Sequence, residues 1–298
     1  MSEWKIGIDL GGTKTECILL DHNGKEIWRK RLPTPREKGY EAILDNIAAL
    51  ISETKENIPE QSQSYTVGMG IPGIIDERSG LVMNANTTVL IGNPLRKDLE
   101  KIISHPVRIE NDANCFALAE CKSGAATGYR TVFGVIMGTG CGGGLFINGK
   151  IHEGFHGIAG EWGHFSIDPD GTQCWCGNKG CIETKISGSG VEKAFESRFG
   201  IKKSMDEIIS GYREGEKNST EIILQFYDDF GRALGGLISI LDPEAVVIGG
   251  GLSNIDELYS EGIEKVKKYV FHKDLQTPIL KNKLGDSAGV FGAAWIGI

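Results

Sequence analysis

One pattern occurs twice in this chain and limits its fold more than any other feature. It is an apolar strand, a Gly/Thr loop, a second apolar strand and an Asn-Gly-Lys turn. IDLGGTKTECILLDHNGK, ending at Lys25, is matched by VIMGTGCGGGLFINGK, ending at Lys150. A second pair follows in the same order: TVGMGIPG at residues 66–73 resembles VVIGGGLS at residues 246–253, each a β-like run delivered into a glycine cluster. A repeat carried at this spacing implies one α/β unit used twice. The 298 residues suit two domains of that kind, since a single core stops growing at about 250–300 residues.

The local patterns fill in each unit. Alternation predicts antiparallel strands over Lys5–Leu10, Thr15–Leu20 and Glu26–Arg31, with Asn23-Gly24 as a turn. A helix is expected over about Tyr40–Thr54, a strand over Tyr65–Val67, and a short amphipathic helix after Asn93-Pro94. The second unit predicts strands over Thr131–Met137 and Gly144–Ile147, and a core helix over Ser219–Leu241 stopped by Asp242-Pro243. The terminal GVFGAAWIGI is apolar enough to pack back on a core.

Composition excludes several classes. A hydrophobic share of 40% with 24% charged residues is that of a globular chain, and a net charge of −8 disfavours nucleic acid and anionic membrane as partners. No apolar run reaches membrane-spanning length, and the start lacks the zones of a signal peptide. Cys17, Cys115, Cys121 and Cys141 stand singly in apolar or glycine-rich surroundings, as reduced thiols do, so a cytoplasmic location is expected.

The other three cysteines form a different arrangement. His164, Cys174, Cys176 and Cys181 fall within eighteen residues, with glycines at 177 and 180 to turn the chain. Sulfur and nitrogen donors so spaced suit a tetrahedral Zn²⁺. Four protein ligands leave no open position for an activated water, so the metal is expected to be structural. Glu161 and Glu183 flank the loop. With His164 they would direct hydrogen-bonding groups at one small volume, which suits a polyhydroxylated ligand. One ring nitrogen of His164 would bind the metal and the other face the ligand.

Three glycine loops, Gly11-Gly12-Thr13, Gly138-Thr139-Gly140 and Gly249-Gly250-Gly251, each follow an apolar strand. Bare backbone N–H groups there can approach an anion closely. One such loop alone is a tight turn; three suggest a polyphosphate. G-x-G-x-x-G occurs at Gly68–Gly73 and Gly138–Gly143, but the first contains Pro72 and runs into a turn pattern, and the second continues as a strand. Neither opens a helix, as a dinucleotide site requires. No G-x4-G-K-[S/T] is present, so hairpins are expected to hold the phosphates. Asp9, before the first loop, is placed to hold Mg²⁺ through water, and Lys14 to meet phosphate charge or face solvent.

Between the strand at Val107–Ile109 and a helix starting near Ala113 stand Glu110, Asn111, Asp112 and Asn114. Asn111 or Asp112 would cap the helix. Asp112 also sits at the C-terminal edge of a strand, where α/β sheets place ligands, and a helix N-terminus favours its ionised form. A carboxylate there can accept the proton of a hydroxyl whose oxygen attacks phosphorus.

With DLGGT, GIPG, NDAN, GTG, GEWGH, CWCGNKGCIE and GGG in this order, the chain resembles the ROK family of sugar kinases over nearly its whole length. The cysteine element with GH ahead of it is the specific part. DxGGT and GTG point only to the actin, hsp70 and hexokinase superfamily. The resemblance implies two ribonuclease-H-like α/β domains facing across a cleft. Their expected bounds are 1–115 plus 285–298, and 116–284 with the zinc loop at 164–181. It implies a kinase transferring the γ-phosphate of Mg-ATP to a hexose hydroxyl, expected to be the 6-hydroxyl. Asp112 would be the base, and Gly73, Asn86, Asn111, Glu161, His164 and Glu183 the sugar contacts. GIDLGGTKTE, RLPTPR, Asn84 to Thr87 and GTGCG liken it most to fructokinases and mannokinases. The polar Asn86 and Thr87 tilt the reading toward a plain hexose. N-acetylglucosamine and N-acetylmannosamine kinases share the framework and remain the alternative. A sugar-sensing regulator of the group would need a DNA-binding module, and only three residues precede the strand-like run WKIGIDL. A homodimer is compatible with the resemblance.

Overall fold

The computed structural model describes residues 3–59 and 64–297. They divide into two compact units. The first takes the described residues up to Lys122, Glu153–Ala159, and those from Asp286 on; the second takes Ser123–His152 and Gly160–Gly285.

In the first unit β1 (Trp4–Leu10), β2 (Lys14–Leu20) and β3 (Glu26–Pro33) form an antiparallel meander. Helix α1 (Tyr40–Lys55) then returns the chain so that β4 (Tyr65–Ile71) lies parallel to β1. A small hairpin, β5 (Ile74–Ile75) with β6 (Val82–Met83), and α2 (Leu95–Ile103) lead to β7 (Arg108–Asn111), parallel to β4. The strand order is β3-β2-β1-β4-β7. Period-2 alternation sorts the side chains. Ile6, Ile8, Leu10, Cys17 and Leu19 pack with Ile43, Leu44, Ile47 and Leu50 of α1, whereas Ile18 and Leu20 pack on the opposite face. Their partner there is the terminal helix, numbered α9 below, through Val290 and Ala294.

The expected strand Tyr65–Val67 runs on through Gly68, Met69 and Gly70 to Ile71. These glycines are strand residues on which a helix lies. A side chain at Gly7 would strike the Val290 carbonyl, and one at Gly68 the Ala293 carbonyl. Strand β7 likewise extends to Asn111, and α3 (Asp112–Ser123) starts one residue earlier than expected.

The second unit repeats this order. Strands β8 (Thr131–Met137), β9 (Cys141–Ile147) and β10 (Lys150–Ile151) form the meander, and β11 (Ala245–Gly249) and β12 (Ile279–Lys281) join in parallel, giving β10-β9-β8-β11-β12. Both repeated sequence pairs therefore occupy equivalent strands. Helices α4 (Glu183–Ile186), α5 (Gly188–Phe199), α6 (Met205–Arg213), α7 (Lys217–Leu241) and α8 (Glu261–Tyr269) surround the sheet, and α9 (Ala288–Ile296) belongs to the first unit. Phe226, Tyr227, Phe230 and Leu234 of α7 join Phe133, Val135 and Met137 of β8 in one core. Asp242, left-handed at φ 46°, ends α7 with its N–H on the Ile238 carbonyl, and Pro243 prevents continuation. Among the described residues no helix is long and apolar enough to cross a membrane.

Candidate active site

In the first unit, β1, β4 and β7 are parallel and carry candidate residues at their C-terminal ends. Asp9 lies level with Gly70 on β4 and Glu16 on β2. Burial, together with the negative charges of Asp112 and Glu16, raises its carboxyl to about 7. Lys14 and Arg31 oppose the shift. The loop after Asp9 is pinned: Gly11 N–H donates to the Lys14 carbonyl at 3.0 Å, and Thr34 Oγ1 donates to the Gly11 carbonyl at 2.7 Å. The Lys14 side chain is exposed. A methyl on Gly12 would lie 3.4 Å from Thr87 Oγ1, so the loop bearing Asn86 and Thr87 sits against the Gly11-Gly12 turn.

Gly73 has φ 152°, and a side chain there would press on Met83 and Ala85. The Asn86 N–H donates to the Pro72 carbonyl at 3.2 Å, and Asn111 Nδ2 donates to the Gly73 carbonyl at 3.2 Å. Gly73, Asn86 and Asn111 are thus tied into one group. Of the two caps expected from the sequence, Asn111 or Asp112, Asn111 accepts through Oδ1 from the N–H groups of Ala113 at 2.9 Å and Asn114 at 3.3 Å. Asp112 opens α3, is partly exposed, and accepts from Ala113 N–H at 2.8 Å.

In the second unit, Gly138-Thr139-Gly140 connects β8 to β9 as a hairpin. The third glycine loop is not one, contrary to expectation: β11 ends at Gly249 and the chain turns into a short 3-10 helix, Gly251–Asn254. The reason is topological, because β11 must cross over to a parallel neighbour rather than return antiparallel. Gly250, at φ 79°, passes so close to the Met137 carbonyl that no side chain fits. A Cβ on Gly138 would lie 3.8 Å from Gly251 N, so the two loops are adjacent.

Glu183 links these loops to the cysteine element. Its Oε2 accepts from Cys141 N–H at 3.0 Å, and its Oε1 accepts from Trp175 Nε1 at 2.8 Å. Trp175 also meets the His164 ring edge-on, with centroids 4.8 Å apart. The sequence reading did not single out this tryptophan; its position between Cys174 and Cys176 was the available signal. Glu161 precedes the short turn Trp162–His164. Burial raises its carboxyl, His164 lowers it, and Glu183 raises it, so these three polar groups lie within electrostatic reach of one another.

The donor atoms of His164, Cys174, Cys176 and Cys181 all lie within 4.8 Å of one another. Cys176 Sγ and Cys181 Sγ are 3.6 Å apart, close to the edge of about 3.8 Å for a tetrahedron with Zn–S bonds of about 2.3 Å. His164 Nδ1 stands 3.7 Å from Cys174 Sγ, which identifies the ring nitrogen turned toward the cluster. This donor set fits a divalent metal of zinc's preference.

A family model described as "ROK family" matches residues 5–298. The N-acetyl-D-glucosamine kinase of Yersinia pseudotuberculosis serotype O:1b (strain IP 31758) is 40% identical over 300 residues, 97% of each chain. Among solved structures, a ROK hexokinase from Thermus thermophilus is similar at a TM-score of 0.89 and 30% identity, covering 99% of this chain and 97% of its own. A ROK family glucokinase from Streptomyces griseus, in complex with glucose and AMPPNP, is similar at 0.81 and 28%, covering 99% of both. The first of these relatives bears the activity given above as the alternative, not that of the fructokinases and mannokinases to which the sequence likened the chain. That likeness rested on GIDLGGTKTE, RLPTPR, Asn84 to Thr87 and GTGCG, with Asn86 and Thr87 tilting it toward a plain hexose; Asn86 N–H donates to the Pro72 carbonyl, and Thr87 is buried beside the Gly12 turn.

Proposed function

The chain belongs to the ROK family, and from that premise we propose an ATP-dependent kinase that phosphorylates N-acetyl-D-glucosamine, with the 6-hydroxyl as acceptor. The observation that carries the choice of sugar is the 40% identity to an N-acetyl-D-glucosamine kinase across 97% of both chains. Asp112 takes the proton from the acceptor hydroxyl as its oxygen attacks the γ-phosphorus and ADP departs. Asn111 and Gly73 support the sugar beside it, with Asn86 on the adjoining loop. Glu161, His164 and Glu183 engage sugar hydroxyls from the cysteine element. The turns of Gly11, Gly12 and Thr13, of Gly138, Thr139 and Gly140, and of Gly249, Gly250 and Gly251 offer backbone N–H groups to the nucleotide phosphates, apart from those of Gly11 and Gly138, which the Lys14 and Gly140 carbonyls hold. Mg²⁺, when bound with the nucleotide, neutralises charge developing on the transferred phosphoryl group. Asp9 is the carboxylate to orient that ion through water. Zn²⁺ on His164, Cys174, Cys176 and Cys181 is structural: it fixes the His164 ring and the Trp175 contact to Glu183. The test is ADP release with and without sugar. N-acetylglucosamine-dependent release is expected. Sugar-independent hydrolysis would indicate an ATPase, and silence with every sugar a sensor.

A further inference from the structure

Glu110 is a carboxyl group that the proposed chemistry leaves unused, yet it is built into the turn bearing Asp112. Its Oε1 accepts from Asn111 N–H at 2.7 Å and from Asn114 Nδ2 at 3.0 Å. One residue ahead of the cap, it therefore ties β7 to the first turn of α3. Its side chain is also hydrogen-bonded to that of Glu153. Glu153 opens the short stretch Glu153–Ala159, which belongs to the first unit although the residues on either side belong to the second. Glu110, Asn111, Glu153 and His156 line one cavity of about 130 Å³, with Ile74 and Ile109 among its apolar wall.

Two carboxyl groups can share a hydrogen bond only if one is protonated, since two carboxylates offer acceptors alone. We infer that Glu110 and Glu153 share one proton and together act as positioning residues, fastening the 153–159 segment to the turn that presents Asn111 and Asp112. The inference rests on Asp112 being the base. Burial and the neighbouring Glu153 hold the Glu110 carboxyl up near 7, against the ordinary 4.5. The titratable groups around the pair are Asp76, Glu77 and Arg78 of the β5–β6 hairpin, Arg96 of α2, Asp112 and Cys115 of α3, and His156 of the segment itself. Arg96 is engaged by Glu77 at 2.8 Å.

Loss of the shared proton sets two carboxylates against each other and frees the segment. The expected consequence is a fall in kcat on the alkaline side of the pH profile, while the acid limb belongs to Asp112. Glu153→Gln keeps a donor for Glu110 without the proton, so its profile should lose the alkaline limb and match the wild type near neutrality. Glu153→Ala keeps neither and should lower kcat at least about tenfold at every pH, with KM for ATP little changed, because small misplacements of a reacting group are costly. A second readout is independent of turnover. A carboxyl raised in the folded state stabilises the fold less as pH rises from its unfolded value toward its folded one. The wild-type melting temperature should therefore fall between pH 4.5 and about 7 more steeply than that of Glu153→Gln. An unchanged alkaline limb in Glu153→Gln, or wild-type kcat in Glu153→Ala, overturns the inference. Asp112→Asn run alongside separates the outcomes: normal turnover there sinks the base assignment, and the melting comparison still judges the shared proton.

Discussion

Asp112 occupies a position where two demands coincide: it starts a helix, and it ends the reach of a parallel strand. Asn111 Oδ1 accepts from the N–H groups of Ala113 and Asn114, and Asp112 shares the first of these. Asp112→Asn preserves shape and hydrogen-bonding while removing basicity. It should bind sugar and ATP as the wild type does and lose about 10² to 10⁴ in kcat, measured by steady-state kinetics beside calorimetric binding. Near-normal turnover would move the base elsewhere. The pair Asn111-Asp112 was legible because four polar residues interrupt two apolar elements. Glu110 stood in the same run, but its partner Glu153 lies on a separate excursion of the chain, and no local pattern announces a contact between distant carboxyls. Trp175 was visible beside its cysteines, but its hydrogen bond to Glu183 follows only once the hairpin has closed.

At the scale of elements, the cysteine hairpin and the terminal helix make separate demands. Cys176 is the least buried of the three clustered cysteines, so Cys176→Ser removes a metal ligand with little loss of packing. Bound zinc should fall from one per chain and Tm drop by at least about 5 °C, since metal binding to such a loop is folding free energy. A zinc-free variant with unchanged Tm and sugar affinity would deny the metal its structural role. Helix α9 presses on Gly7 and Gly68 through backbone carbonyls that cannot turn aside. Gly68→Ala should cost about 1–3 kcal/mol in urea denaturation. Gly236 of α7 has open space around its missing side chain, and Gly236→Ala should be neutral or stabilising by about 0.5–1 kcal/mol. This contrast also marks a limit of sequence reading. Glycine after Val67 looked like the end of a strand, whereas Gly68 and Gly70 continue it; at Gly68 the close neighbour is a helix supplied by the far end of the chain, and at Gly70 it is Cys115 of α3.

For the molecule as a whole, the duplicated strand order was legible because each copy repeats the same sequence of apolar strand, glycine loop, strand and Asn-Gly turn. The two five-stranded sheets, with equivalent orders, follow from it. Substrate preference was not legible in the same way. Discrimination among sugars rests on a few contacts worth about 1–3 kcal/mol each, and the polarity of Asn86 and Thr87 alone does not tell one hexose from another. The N-acetylglucosamine proposed above follows from identity carried along the full chain. The most direct measurement is therefore a competition: the protein, Mg-ATP and an equimolar mixture of N-acetylglucosamine, N-acetylmannosamine, glucose, fructose and mannose, with the phosphorylated products resolved by mass spectrometry and ³¹P NMR. The account predicts that N-acetylglucosamine 6-phosphate accumulates first and in excess. Fructose or mannose phosphate as the leading product, or no sugar phosphate at all, would contradict it.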